Sequence, residues 1–211
     1  MLNHLRTINS STIVPLAATN TLQLTETLQI TPLFDIQHED VTHAYYEGLQ
    51  SRLQAIQGPF AASHLVNFLH SAIEGDWFDK RHETQLRRSI GFLFGEIHGQ
   101  VLTPNGTCRP DMTTLVTLNQ KDEQRGYRAG RLWFFYEATP AERVLTDDEL
   151  LKRLREYVVD SVMWNDSEGV WSYTAACLLG ELSGHLFSLT PQEQQAREAE
   201  YRYWREKVDP Q

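Results

Sequence analysis

The sequence predicts a mainly α-helical single domain, a bundle of about six to seven helices preceded by an extended N-terminal arm. Three observations lead there. Apolar residues recur at three- and four-residue spacing along most of the chain after Asp40. Helix starts and stops are marked by capping boxes and by Gly and Pro breaks. The first 38 residues carry only three charges, Arg6, Glu26 and Asp35, in a 211-residue chain of net charge −9.

Residues 1–38 form the arm and residues 39–211 the helical domain. In the arm, Leu22, Leu24, Leu28 and Ile30 alternate around Glu26, the period of a strand or of an extended segment lying on an apolar surface. It can fold over the body, pair with the Ile13–Leu16 stretch, or cross to a second subunit, and the spacing does not choose among these.

The first helix places Val41, Tyr45, Leu49, Leu53 and Ile56 on one face, with Asp40 as its N-cap, and ends at Gly58-Pro59. A second carries Ala62, Leu65, Val66, Leu69, Ala72 and Ile73 and stops at Gly75. A third runs from about Asp79 to Leu102, and Pro104-Asn-Gly106 breaks it. Residues 103–118 read as a loop with a short extended piece at Thr113–Leu118. For Asn119–Glu137, Leu132–Tyr136 suits a strand, but Gly126 and Gly130, four apart on one helical face, favour a helix that another helix approaches closely.

Thr146 and Glu149 form a capping box that opens a helix with Leu150, Leu151, Leu154, Tyr157 and Val158 inward. Trp171–Phe187 is apolar nearly all round, as expected of a central helix. Thr190-Pro191-Gln-Glu193 opens a last helix, with Glu193/Arg197 and Glu198/Arg202 at four-residue spacing and Tyr201, Trp204 and Val208 as its inward stripe.

Two segments resemble each other at an offset of 85: Leu93-Phe-Gly95-Glu96 with Leu178-Leu-Gly180-Glu181. The preceding helices align at the same offset, raising a duplicated helix-hairpin unit at 62–102 and 147–187, with convergence of two buried helices as the alternative. Gly91, Gly95 and Gly99 recur every fourth residue, as do Ala176, Gly180 and Gly184, so each helix has a side-chain-free groove. Glycine costs about 1 kcal/mol relative to alanine inside a helix, so three in one helix signal close approach. The expectation is that these two helices pack against each other.

Composition narrows the function. The apolar fraction of 41% supports one substantial core. No apolar run approaches the ~18 residues that cross a bilayer, and no secretory signal is visible, so a soluble cytoplasmic protein is expected. The two cysteines are too few for a disulfide framework, and no P-loop, dinucleotide fingerprint, nucleophile elbow or zinc motif occurs, so no cofactor is implied.

Three constellations carry chemical potential. Glu96, Glu181 and His185 would suit a metal or a proton transfer in a bundle interior, His185 lying four residues beyond Glu181. His38, Glu39, Asp40 and His43 form a second polar cluster, better explained by capping than by a metal. Arg125, Arg128 and Arg131 would form a basic stripe for phosphate or an acidic partner, although −9 overall disfavours nucleic acid. The leading expectation is a non-enzymatic interaction, regulatory or adaptor protein that binds another protein or its own copy through the arm. The alternatives are a metal-binding or hydrolytic bundle using Glu96, Glu181 and His185, and a nucleic-acid-associated protein using the arginines.

Overall fold

The structure, a computed structural model, describes residues 30–54, 58–163 and 168–208, without the side chains of 160–163, 168 and 204–208. Seven α-helices occur among them: α1 (Glu39–Gln54), α2 (Ala62–Glu74), α3 (Glu83–Val101), α4 (Lys121–Tyr136), α5 (Asp147–Met163), α6 (Glu168–Ser183) and α7 (Pro191–Val208). A 3-10 turn at Lys80–His82 leads into α3. Among the described residues, pairing between extended segments is limited to isolated bridges.

Local chemistry sets most of these boundaries. Thr146 and Glu149 exchange hydrogen bonds at the start of α5, the Thr146 N–H donating to Glu149 and the Glu149 N–H to the Thr146 hydroxyl. Thr190 and Glu193 do the same at α7. Asp40 does not cap α1 from outside, because the helix begins one residue earlier. The backbone N–H groups of Gln37 and His38 donate instead to Asp147 at the head of α5, at 3.2 and 3.3 Å. The 121–136 stretch is helix, and α6 stops at Ser183, short of Phe187.

Of the arm, residues 30–38 are described, and they belong to the core: Leu33 and Phe34 are buried, and Ile30 and Ile36 pack against them. Leu22, Leu24, Leu28 and the Ile13–Leu16 stretch lie outside the described residues.

The glycine grooves are filled, but not by each other. The α3 groove receives α1: a Cβ at Gly95 would fall on the Tyr45 carbonyl oxygen, with Gly91 and Gly99 facing Val41 and Leu49 in the same way. The α6 groove receives α4: a Cβ at Gly180 would fall on the Tyr127 carbonyl, while Gly184 faces the Phe134 ring and Ala176 is fully buried. The expected α3–α6 pairing is therefore corrected. Each groove takes the helix that carries complementary small residues, Gly48 on α1 and Gly126 and Gly130 on α4, so that backbone meets backbone at the centre of each contact.

The same contacts recur in both pairs. Tyr45 on α1 accepts the N–H of Leu33 through its hydroxyl at 3.0 Å, and Tyr127 on α4 accepts that of Leu115 at 2.7 Å, each twelve residues back. The segments leading into α1 and α4 then cross over. The Asp35 N–H donates to Leu145 and the Asp147 N–H to Asp35, ahead of α5; the Thr117 N–H donates to Phe60 and the Ala62 N–H to Thr117, ahead of α2. First helices correspond at a register of 82 residues, second and third helices at 85, as the starts at Glu39 and Lys121, Ala62 and Asp147, Glu83 and Glu168 show.

Candidate functional site

Glu96 and Glu181 occupy corresponding positions on α3 and α6, one residue after a groove glycine that fixes each helix against its partner. They do not converge. Glu181 lines a small cavity of about 130 Å³ between α2, α5 and α6, walled by Leu65, Leu69, Tyr157 and Cys177. Arg153 from α5 reaches it there at 2.7 Å. Burial raises the Glu181 carboxyl above the ordinary range and Arg153 opposes the rise; burial also pushes the Cys177 thiol up to about 11, which keeps it protonated and a poor nucleophile at neutral pH.

Glu96 lines a different and more open crevice of about 400 Å³ with Phe68, Trp77, Arg88 and Phe92. Its carboxyl is likewise raised by burial, and Arg52 and His64 act on it only through space. His185 belongs to neither site. Because α6 ends at Ser183, the four-residue helical relation to Glu181 is lost, and the imidazole packs against Phe134 with ring centroids 4.8 Å apart, on a crevice formed with residues 31–36. The Glu96, Glu181 and His185 constellation is thus dispersed over three surfaces.

The arginine stripe also divides. Successive residues rotate by about 100° along a helix, so Arg125 and Arg131, six apart, point about 120° away from each other. Arg125 is exposed and faces Asp122 at 3.5 Å, and Arg128 is exposed. Arg131 is 1% exposed and ties α4 to the turn after α6 and to α7. Its guanidinium donates to both Glu193 oxygens, at 2.6 and 3.2 Å, to the Ser183 hydroxyl at 3.1 Å and to the Ser188 carbonyl at 2.6 Å. This fork with its full set of acceptors is a structural tie, unavailable to phosphate.

At the head of α5, His38, Asp147 and Asp148 place one ligand atom each within 4.8 Å of one another. Their present partners are internal: His38 Nδ1 lies 2.8 Å from Asp147, and Arg87 lies 2.5 Å from Asp148. The Asp147 carboxyl sits below its ordinary range because the His38 ring and the Gln37 and His38 N–H groups outweigh its burial. The cluster joins the segment before α1 to the head of α5. Glu39 and His43, at 3.7 Å, form an exposed pair on α1 apart from this junction.

Two features escaped the sequence reading. His98, on α3, is 1% exposed, with Nδ1 2.8 Å from the Tyr45 hydroxyl and Nε2 buried without a partner among the described residues. The corresponding residue on α6 is Ser183, beside Tyr127. The second is the course of α7. Its first turn is held by Arg131, and Arg197 reaches Glu137 at 3.4 Å and lies over the Tyr136 ring. Beyond that point every residue from Glu198 to Tyr203 is exposed. Tyr201, expected to face inward, is 67% exposed. Six consecutive residues span more than a full turn, so every face of the helix there is exposed at least in part.

No protein-family model matches the chain, and neither the curated proteins nor the solved structures include one similar to it.

Proposed function

We propose that the chain is a non-enzymatic interaction protein whose partner is a second copy, met through the C-terminal half of α7. The observation that supports this reading is the stretch from Glu198 to Tyr203, in which each residue is exposed although Tyr201 is a large aromatic at 67% exposure. A helix end this exposed gains little from packing on its own body, and tyrosines such as Tyr201 on it suit a helical partner.

The partner's nature follows from charge. Within the half of α7 beyond Arg197, residues 198–201 hold two glutamates and no cation, while residues 202–208 hold two arginines and a lysine against one glutamate. A second copy running antiparallel sets acidic halves against basic halves, the self-complementary arrangement of a two-fold dimer. Dispersal of Glu96, Glu181 and His185 favours this reading over a bundle-interior reaction centre, and burial of Arg131 favours it over nucleic-acid binding. No helix among the described residues is long and apolar enough to cross a membrane.

Sedimentation equilibrium of the full chain over a range of concentrations tests the proposal. The expected result is a monomer–dimer equilibrium that weakens with salt and is lost in a Tyr201→Ser/Arg202→Glu variant of unchanged helicity. A chain that stays monomeric at all concentrations overturns it, as does a dimer indifferent to that variant. Deletion of residues 1–29 measures what the arm adds. The cut stops at 29 because removal through 37 would take Leu33 and Phe34 out of the core.

A further inference from the structure

The register that relates α2 to α5 and α3 to α6 also relates the walls of the two carboxylate sites. At an offset of 85, Glu181 answers to Glu96, Cys177 to Phe92, Leu178 to Leu93 and Thr174 to Ser89, and all eight residues line their respective cavities. A fifth pair shares the register but not the chemistry. Arg153, whose guanidinium meets Glu181 at 2.7 Å, corresponds to Phe68. The second half therefore supplies its own cation to the carboxylate, in a cavity of about 130 Å³ that Leu65 and Leu69 of the first half help to close. The first half supplies a phenyl ring, leaves Glu96 without a hydrogen-bonded partner among the described residues, and opens a crevice of about 400 Å³.

The rest of the crevice suits what is missing. Phe68 and Trp77 meet edge to face with ring centroids 6.1 Å apart, and Phe92, 37% exposed, is a third aromatic wall. A flat, weakly hydrated guanidinium stacks on such faces while its edge donates two hydrogen bonds to a carboxylate; an ammonium ion lacks the planar edge. Among the residues that line the crevice, Glu47 and Arg88 carry opposite charges and Glu96 leaves one negative charge, which Arg52 and His64 offset only from a distance.

We infer that the Glu96 crevice binds the guanidinium of an arginine side chain presented by a protein partner, in the relation that Arg153 already holds to Glu181 within the chain. This site is separate from α7 and stands whether or not the chain dimerises. A positive side chain entering there is held by a half-buried carboxylate and three rings, an anchor of the kind around which interfaces are built.

Amide and indole NMR shifts of the full chain, titrated with N-acetyl-arginine methylamide, test the inference. This probe has a neutral backbone, so Arg88 does not bias the outcome. Saturable shifts are expected at the Trp77 indole and around Glu96. Affinity should fall by at least about tenfold for the citrulline analogue, an uncharged isostere, and again for the Glu96→Gln protein. Phe68→Arg, which installs the residue found in the other half, should block the probe. Equal binding of the citrulline analogue, equal binding of the lysine analogue, or binding unaffected by Glu96→Gln each overturns the assignment. Absence of saturable shifts overturns it as well. Glu96→Gln changes one half-exposed side chain and decides the matter even where Phe68→Arg lowers stability.

Discussion

The α1–α3 half and the α4–α6 half place their helices alike and diverge where side chains meet polar neighbours. Both bring a first and third helix together over glycine, and both anchor a tyrosine hydroxyl on the N–H twelve residues back. Where the first half has Leu49, Phe68 and His98, the second has Arg131, Arg153 and Ser183. In the second half the arginines form internal ties, to Glu193 and Glu181, whereas the first half has a buried imidazole and an open carboxylate. The shared part is thus backbone geometry, and the freedom lies in what each half does with its charges.

The largest break in this comparison should come from Arg131→Leu, which gives the second half the residue of the first. It leaves Glu193 part-buried without its cation and strips donors from Ser183 and Ser188, a loss of about 3–5 kcal/mol in urea unfolding. Protease cleavage within α7 should also quicken. A loss below about 1 kcal/mol would show that α7 is held by other means.

Next comes the acid sensitivity that the first half owes to His98. Burial depresses His98 to about 4, against about 6.5 in an unfolded chain. The unfolded state then binds the extra proton first as pH falls. Stability from the neutral ring is whole above about pH 6.5 and declines between there and pH 4, by about 3 kcal/mol in total. Unfolding free energies of the wild type and His98→Gln, compared across this window, should converge as the pH drops. Parallel pH curves would contradict a depressed titration.

A smaller effect sharpens the shared element. Gly95→Ala and Gly180→Ala each put a methyl against a partner carbonyl, in α1 and α4 respectively. Each should cost about 1–3 kcal/mol by thermal or urea unfolding, with the two values similar. A large cost in one half alone would mean that the second pair of helices separates readily. Smallest is Tyr127→Phe against Tyr45→Phe: each leaves a leucine N–H buried and unmet, at about 1–2 kcal/mol.

Much of this architecture was legible in the sequence, because periodicity and caps are local. Thr146 with Glu149 and Thr190 with Glu193 sit within one turn of each other, and their bonds need nothing from elsewhere. Glycines at four-residue spacing announced close approach but not the approaching helix. A groove specifies shape, and α1 and α4 fit it through Gly48, Gly126 and Gly130. Arg131 looked like surface because its burial depends on Glu193, 62 residues away, and on turn carbonyls that exist only once α6 ends at Ser183. Tyr201 looked like core because an aromatic stripe reads the same whether it docks on its own body or is exposed. The contrast between Phe68 and Arg153 was present in the 85-residue register, but its meaning required knowing that Arg153 turns to Glu181.

The crossing of the lead segments bears on how the chain reaches this state. Helical proteins ordinarily assemble from neighbours in sequence and do so fast. Here Asp35 must find Leu145 and Asp147, more than a hundred residues on, before the start of α1 is capped, and Thr117 must reach back to Phe60. Closing loops of that length delays the reward for early helix formation. A chain with helical content this high is therefore expected to refold more slowly than its secondary structure suggests. A translating ribosome must emit α5 before α1 can settle, so each half waits on the other to become native.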